Sequence, residues 1–118
     1  MMERRDYETI ATWIKPNGKV LDLGCGDGSL LYHLIGTKNV QGYGVEIDDA
    51  KILSCIERGV DVIQVDLEAG LSVFESDSFD YVILSQTLQA MRHTERIVAE
   101  MLRVGRQAIV TLPNFGYW

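Results

Sequence analysis

In this chain of 118 residues, the stretch VLDLGCGDG at residues 20–28 gives the strongest indication of the fold. It begins with an apolar run, broken only by Asp22, and ends in a turn in which every second residue is glycine. The apolar run is typical of a buried strand, and the glycines allow a tight exit from that strand with no Cβ atoms facing a ligand. Residues 29–35 then predict a helix, so the stretch joins a strand to a helix N-terminus.

The alternation of strand and helix continues on both sides of this stretch. Further predicted strands occupy residues 40–45, 60–65, 79–84 and 107–112, and predicted helical segments lie at 7–14, 49–58 and 94–104. Strands that alternate with helices favour βαβ units around a parallel sheet that is buried on both faces. We therefore predict an α/β fold, a three-layer Rossmann-like sandwich with strand order 3-2-1-4-5 and a ligand cleft at the carboxyl ends of the strands.

Two finer predictions concern the helices. Gly36 follows the helix at 29–35 and is expected to end it, since glycine readily adopts the left-handed conformation of a C-terminal cap. In the helix at 94–104, apolar residues recur at helical spacing. The residues of that helix expected to face the core are Ile97, Val98, Met101 and Leu102.

Composition and charge exclude several classes of protein. Hydrophobic residues make up 47% and charged residues 24% of the chain, values typical of a globular domain and not of disorder. No apolar run approaches the roughly 18 residues of a membrane span, and the first residues lack a secretory signal. The 17 acidic against 11 basic residues disfavour a nucleic-acid partner. We expect one cytoplasmic domain covering residues 1–118, with neither membrane nor nucleic acid as a partner.

The two cysteines, Cys25 and Cys55, are too few for a disulfide framework or a cysteine-based zinc site. We expect them to be reduced. Cys25 lies in the glycine turn and Cys55 follows Ile52 by three residues on a predicted helix, so both thiols are expected to pack rather than react. Neither His33 nor His93 has a cysteine or second histidine at ligand spacing, so no metal site is predicted.

The acidic residues beside the glycine turn discriminate between two kinds of nucleotide ligand. A dinucleotide site uses Gly-x-Gly-x-x-Gly with a pyrophosphate against the helix N-terminus, whereas the third glycine here comes one residue early. Asp22 and Asp27 would repel a pyrophosphate but suit a ligand that carries an ammonium group. The turn therefore favours S-adenosylmethionine, and a tight turn that holds no ligand is the alternative.

Two further acidic residues follow the next two predicted strands. Glu46 lies about 20 residues beyond the turn, where a carboxylate can accept hydrogen bonds from both ribose hydroxyls. Asp66 follows the strand at 60–65 and is placed to accept from an adenine amino group. The alternative for each is a loop residue or helix cap with no ligand.

These residues together resemble the successive motifs of class I S-adenosylmethionine-dependent methyltransferases, a likeness that also includes residues 79–82 and 100–104 and spans about Val20 to Pro113. By that resemblance, the turn around Gly24 and Gly26 lines the methionine part of the cofactor. Glu46 would contact the ribose, and Leu67 would join Asp66 at the adenine.

The resemblance also places Ser85 and Gln86, just beyond the fourth predicted strand, near the methyl group of the cofactor. The complete set of residues expected to bind S-adenosylmethionine or S-adenosylhomocysteine is Asp22, Gly24, Cys25, Gly26, Glu46, Ile47, Asp66, Leu67, Ser85 and Gln86.

A narrower resemblance is carried by residues 42–48, 55–60, 84–90 and 113–118, which are similar to the MetW family of methionine biosynthesis proteins. The run SQTLQA at residues 85–90 is specific to this likeness, because generic methyltransferases do not share it. The resemblance implies a role in methionine metabolism and association with a homoserine O-acyltransferase, a MetX-like partner. It does not imply that a methyl group is transferred.

The chain departs from the methyltransferase pattern in three places. Ala90 stands where many small-molecule members carry a histidine, and the usual Lys-Pro-Gly-Gly turn before the fifth strand is contracted to Gly105-Arg106. The sequence also stops just after the fifth predicted strand, whereas both families continue with further elements. We therefore expect a chain that is truncated at its C-terminus and lacks the terminal methyltransferase strands.

Three functions stay open on the sequence alone. The first is a MetW-like protein that binds S-adenosylmethionine or S-adenosylhomocysteine and supports a homoserine O-acyltransferase. The second is a small-molecule methyltransferase, and the third is a non-catalytic scaffold for protein contacts. No histidine or lysine pairs with an acid at a recognisable catalytic spacing, so no catalytic residue is assigned. Methyl transfer can proceed largely by proximity and orientation, which leaves the enzymatic status undecided.

Overall fold

A computed structural model describes residues 4–85 and 92–111; Gln86 lies outside the described residues. The elements in chain order are α1 (Arg4–Thr12), β1 (Lys19–Leu23), α2 (Ser29–Lys38), β2 (Gln41–Glu46), α3 (Asp49–Glu57), β3 (Asp61–Gln64), β4 (Phe79–Ser85), α4 (Thr94–Val104) and β5 (Gly105–Thr111). A short 3-10 turn at Leu67–Ala69 lies between β3 and β4. Within these two ranges no helix has both the length and the apolar content to cross a membrane.

The five strands form one parallel sheet in the order β3-β2-β1-β4-β5, which confirms the predicted topology. At the carboxyl end of β1, Leu23 lies beside Val45 of β2 and Leu84 of β4. The carboxyl ends of β1, β2 and β3 therefore lie next to one another, on one side of the point where the strand order reverses. Ligands of such sheets bind at this edge.

Each face of the sheet is covered by a separate hydrophobic core, so the fold has the three layers predicted. Along β1 the side chains alternate, with Val20 in the core beneath α1, α2 and α3, and Leu21 in the core beneath α4. The helix residues buried on the first face are Ile10, Ala11, Leu30, Leu31, Leu34 and Cys55, and those on the second are Ile97, Met101 and Val104. Burial on both faces accounts for the nearly continuous apolar runs of the central strands β1 and β4.

The helix α4 passes into β5 with no intervening loop, consistent with the contracted sequence at this point. Gly105 is the first residue of β5 and is buried. A Cβ atom on this residue would lie 2.5 Å from Cγ2 of Val82 on the neighbouring strand. The glycine therefore lets the end of α4 approach β4 closely enough for β5 to pair at once.

Two finer predictions were wrong. Gly36 lies inside α2, which continues to Lys38 and is capped by Asn39 in a left-handed conformation with φ 53°. Asparagine tolerates this region better than most residues, and an internal glycine costs a helix only about 1 kcal/mol. Leu102 is 60% exposed, because the buried stripe of α4 follows the spacing of Ile97, Met101 and Val104 and leaves position 102 on the opposite side.

Candidate functional site

The glycine turn adopts a backbone conformation that favours glycine. Gly24, Gly26 and Gly28 have φ angles of 66°, 59° and 84°, all in the left-handed region. The turn is fixed against β2 because the Cys25 N–H donates to the Val45 carbonyl at 3.0 Å. Gly28 is the N-terminal cap residue of α2 and, as a glycine, has no side chain that could accept a capping hydrogen bond. The turn thus leaves β1 sharply and runs directly over the end of the neighbouring strand.

A fourth glycine permits this close contact between the turn and the sheet. A Cβ atom on Gly44 of β2 would lie 2.5 Å from the Cys25 Sγ, closer than two atoms can approach without displacement. A Cβ on Gly26, in contrast, would meet no atom within 4 Å. The turn is therefore packed tightly beneath and open above, on the side from which a ligand can approach.

Glu46 is held in place by backbone donors from two segments. Its Oε1 accepts from the N–H of Gly26 at 2.9 Å, and its Oε2 accepts from the N–H groups of Ile47 and Asp48 at 3.0 Å each. The residue is 9% exposed. A carboxylate offers about four acceptor positions, so about one stays available to a ligand. The side chain links the glycine turn to the loop that leads into α3.

These parts enclose a cleft of about 240 Å³ at the carboxyl ends of β1, β2 and β3. The predicted site residues that line it are Gly24, Gly26, Glu46, Ile47, Asp66 and Leu67. The remaining lining residues, which sequence reasoning missed, are Val45, Lys51, Val65 and Glu68. The cleft is somewhat smaller than the ~300–1,000 Å³ of typical small-molecule sites.

The lining contributed by the segment after β3 includes two acids, Asp66 and Glu68, and the lining contributed by α3 includes one cation, Lys51. Asp66 caps the 3-10 turn, since its Oδ1 accepts from the Glu68 N–H at 2.9 Å. The capping role considered for Asp66 from sequence is therefore real, and it is compatible with lining the cleft. Glu68 accepts from the Arg92 N–H at 3.2 Å, and Lys51 projects from the first turn of α3.

Gln64, at the end of β3, stabilises the loop beside the cleft. Its Nε2 donates to the Ile47 carbonyl at 2.9 Å and to Asp49 Oδ1 at 2.7 Å. Ile47 is 55% exposed and forms part of the lining. Gln64 thus positions an apolar side chain at the mouth of the cleft. A glutamine at a strand end gives no sequence signal for such a role.

Asp22 does not line the cleft but lies buried close to it. It is 1% exposed, and its Oδ1 has no hydrogen-bond partner among the described residues. Burial, and secondarily the charge of Glu46, raises the pKa of this carboxyl from 3.8 to about 8. The folded protein therefore favours the protonated form of this carboxyl more strongly than the unfolded chain does.

Two more predicted site residues are placed away from the cleft wall. Cys25 is buried beneath the turn, with its thiol against Cys55, and both residues pack as predicted. Ser85 is buried at the carboxyl end of β4, on the other side of β1 from the cleft, and does not line it. Gln86 lies outside the described residues. Within the described ranges, no group of three or more potential ligands is arranged to hold a metal ion.

Comparisons with known proteins bear on the family and the fold of the chain. The model of the family "Methionine biosynthesis protein MetW" matches residues 4–118. The chain is 44% identical over 120 residues to the bifunctional methionine biosynthesis protein MetXA/MetW of Rhodopirellula baltica, covering 95% of this chain and 19% of that protein. It is 33% identical over 106 residues to phthiotriol/phenolphthiotriol dimycocerosates methyltransferase 1 of Mycobacterium ulcerans, covering 85% of this chain and 38% of the enzyme.

A solved structure supports the fold at lower identity. The S-adenosylmethionine-dependent methyltransferase of Thiobacillus denitrificans, in complex with S-adenosyl-L-homocysteine, matches with a TM-score of 0.73 and 15% identity. The match covers 88% of this chain and 45% of that one. The chain thus has a methyltransferase-like fold, and it spans less than half the length of each of these three proteins.

Proposed function

The chain belongs to the MetW family of methionine biosynthesis proteins, and from this premise we propose that it binds S-adenosylmethionine or S-adenosylhomocysteine and supports a homoserine O-acyltransferase. The observation that carries the ligand proposal is the cleft formed by the glycine turn, the backbone-held Glu46 and the end of β3. Solved relatives of the fold bind such ligands; one is the Thiobacillus denitrificans enzyme with S-adenosyl-L-homocysteine.

The residues of the cleft fit the parts of an S-adenosyl ligand. The free acceptor position of Glu46 suits a ribose hydroxyl. Ile47 and Leu67 offer apolar surface for the adenine, and the second oxygen of Asp66 suits its amino group. The open side of Gly26 allows the methionine part to approach the backbone, with Ser85 and Gln86 proposed near the methyl group. When bound, S-adenosylmethionine supplies an electrophilic methyl group on a sulfonium.

The charges around the cleft favour this ligand over a dinucleotide. Among the described residues that line it, three are acids, Glu46, Asp66 and Glu68, and one, Lys51, is basic. A pyrophosphate would be repelled by such a field, whereas a sulfonium and an ammonium group are attracted by it. We further propose that residues 1–118 form one ligand-binding domain of a cytoplasmic protein that does not bind nucleic acid, consistent with its net charge of −6.

A partner role is favoured over independent catalysis by one observation. In Rhodopirellula baltica the segment similar to this chain is part of a longer protein named MetXA/MetW. Fusion of two segments is common when separate proteins act together. We propose that the cleft senses S-adenosylmethionine or its demethylated product, and that occupancy favours the conformation to which a MetX-like homoserine O-acyltransferase binds.

The partner proposal is tested by measuring acyltransferase activity with the full natural protein across a range of S-adenosylmethionine concentrations. We expect a complex between the two proteins and a rate that changes with cofactor concentration. Because coupling is reciprocal, the acyltransferase must change the affinity for the cofactor by the same factor. If no complex forms and neither protein nor cofactor changes the rate, the partner role is wrong.

Methyl transfer to a small molecule is the second candidate, and the similarity to the Mycobacterium ulcerans methyltransferase favours it. The experiment that separates the two candidates measures S-adenosylhomocysteine formation with and without the acyltransferase and its substrates. Turnover of S-adenosylmethionine by the protein with an added acceptor would make methyl transfer the leading function. Binding without turnover supports the sensing role, and absence of both leaves a protein-contact scaffold.

Replacing Glu46 by glutamine is expected to weaken binding of S-adenosylhomocysteine by about 1–3 kcal/mol, through loss of charge-assisted hydrogen bonds. Calorimetric titration measures the change, and circular dichroism verifies that the variant is folded. Glu57→Gln is the matched control: it removes the same charge from an exposed position at the end of α3, outside the cleft. Equal affinity in Glu46→Gln and the parent would remove Glu46 from the site, and tighter binding of NADH would contradict the ligand assignment.

A further inference from the structure

The two cysteines of the chain lie side by side beneath the glycine turn, although 30 residues separate them in sequence. Their sulfur atoms are 3.7 Å apart, and both residues are buried. The Cys55 thiol on α3 donates to the Gly26 carbonyl at 3.2 Å, and the Cys25 thiol lies 3.8 Å from the same oxygen. Both thiols thus contact the carbonyl of Gly26, and Gly26 also lines the cleft.

The backbone around this thiol pair is unusually close. A Cβ on Gly44 would lie 2.5 Å from the Cys25 Sγ, and one on Gly28 would lie 3.1 Å from the Cys55 Sγ. No side chain separates the two sulfurs, which are already in contact. A covalent bond between them requires the turn and α3 to move closer together.

We propose that Cys25 and Cys55 form a reversible disulfide that distorts the glycine turn and lowers the affinity of the cleft for an S-adenosyl ligand; the ligand part of this inference rests on the proposed function. A hydroperoxide is the oxidant. One thiolate attacks the peroxide oxygen to give a sulfenic acid and releases water or an alcohol. The second thiol attacks that sulfur and releases water. Together the thiols lose two electrons and two protons, which the peroxide accepts.

The bond would change the turn in two ways. The sulfur–sulfur bond of a disulfide is about 2.05 Å long. The two sulfurs, now 3.7 Å apart, must therefore approach each other by about 1.6 Å. Neither sulfur then carries a hydrogen, and the Gly26 carbonyl loses its thiol donor. The N–H of the same residue, in the preceding peptide group, donates to Glu46 Oε1. Displacement of Gly26 therefore also disturbs the carboxylate proposed to hold the ribose.

Burial determines when the reaction takes place. It raises the pKa of both thiols, and the carboxyl of Asp22 raises that of Cys25 further. Since the thiolate is the reactive form, the pair stays reduced while the turn is closed and reacts when the turn opens. An S-adenosyl ligand that contacts the turn should therefore slow oxidation. Transient disulfides of this kind are the form found in reducing compartments.

The test treats the protein with hydrogen peroxide and measures intact mass, free thiols and affinity for S-adenosylhomocysteine. We expect loss of two hydrogen atoms and of both free thiols, and roughly tenfold weaker binding, the effect of losing one or two hydrogen bonds. Dithiothreitol should restore both, and bound ligand should slow the loss of thiols.

Cys55→Ser is the control, because its hydroxyl keeps a donor for the Gly26 carbonyl but cannot form the bond; Cys55→Ala serves if the serine variant folds poorly. The affinity of the Cys55 variant for S-adenosylhomocysteine should not change after peroxide treatment. Thiols that persist in peroxide, oxidised protein that binds as the reduced form does, or an equal loss in the Cys55 variant would each overturn the proposal. If the reduced protein binds no S-adenosyl compound, the proposed function fails. The disulfide is then decided by mass and by a Cys55-dependent shift of the unfolding temperature.

Discussion

Replacing Asp22 by asparagine is expected to flatten the pH dependence of the free energy of unfolding. As the pH rises, the variant should become increasingly stable relative to the parent protein. The folded-state pKa of Asp22 is raised from 3.8 to about 8 by burial and by Glu46. Between these values the folded protein holds a proton that the unfolded chain has released. The unfolding free energy of the parent therefore falls as pH rises through this window, by a total on the order of a few kcal/mol. Asparagine is neutral throughout and lacks this loss.

Urea denaturation of both proteins from about pH 4 to about pH 9 measures the effect, with the difference between the two curves as the readout. The difference matters more than either curve, because a buried amide has a desolvation cost of its own. Asp61→Asn is the matched control, since Asp61 is an exposed carboxyl on β3 and is not buried by the turn. Parallel curves for Asp22→Asn and the parent would show that Asp22 is ionised in the folded protein.

Gly44→Ala is expected to destabilise the protein by about 1–3 kcal/mol, the usual cost of adding a methyl group to a packed interior. The new Cβ would lie 2.5 Å from the Sγ and 3.0 Å from the Cβ of Cys25. Since the Cys25 N–H is bonded to the next residue of the same strand, Val45, the turn cannot move away without losing that hydrogen bond. Ligand affinity should fall together with stability.

Gly36→Ala provides a control of opposite sign. Gly36 is exposed inside α2, and a Cβ there would meet no atom within 4 Å. Alanine at such a position should stabilise the helix by about 0.5–1 kcal/mol and leave the cleft unchanged. Chemical denaturation of the two variants measures both effects. A Gly44→Ala protein as stable as the parent would show that the turn has room that the structure does not indicate.

The fold was predictable because its signals are local. The alternation of apolar strands with amphipathic helices identified the elements, and the general rules for parallel sheets then supplied the order 3-2-1-4-5. Those rules also brought the strand-end acids Glu46 and Asp66 to one edge of the sheet, where both line the cleft. Details of the helices were harder to predict. The end of α2 was placed at Gly36 and Leu102 was placed in the core, and both predictions were wrong. Where a helix ends and which of its faces is buried depend on what the helix packs against.

The interactions that define the candidate site were not predictable from residue types. No pattern indicates that the carboxylate of Glu46 accepts three backbone hydrogen bonds, that Gln64 holds the Ile47 carbonyl, or that Cys25 touches Cys55. Each depends on the path of the chain over tens of residues. Asp22 was identified as a ligand-facing acid, but only the packing around it shows a buried carboxyl with an unpartnered oxygen.

The direct passage of α4 into β5 constrains how the length of this chain can vary. With no loop at Gly105, one residue inserted or deleted there shifts β5 by one position against β4 and turns its side chains to the opposite face of the sheet. Val82 leaves no space for a bulge at that point, because even a methyl group on Gly105 would collide with it. We therefore expect relatives that share this contracted junction, unlike methyltransferases with the longer turn, to differ in length elsewhere and to keep the spacing between the buried stripe of α4 and the edge strand invariant.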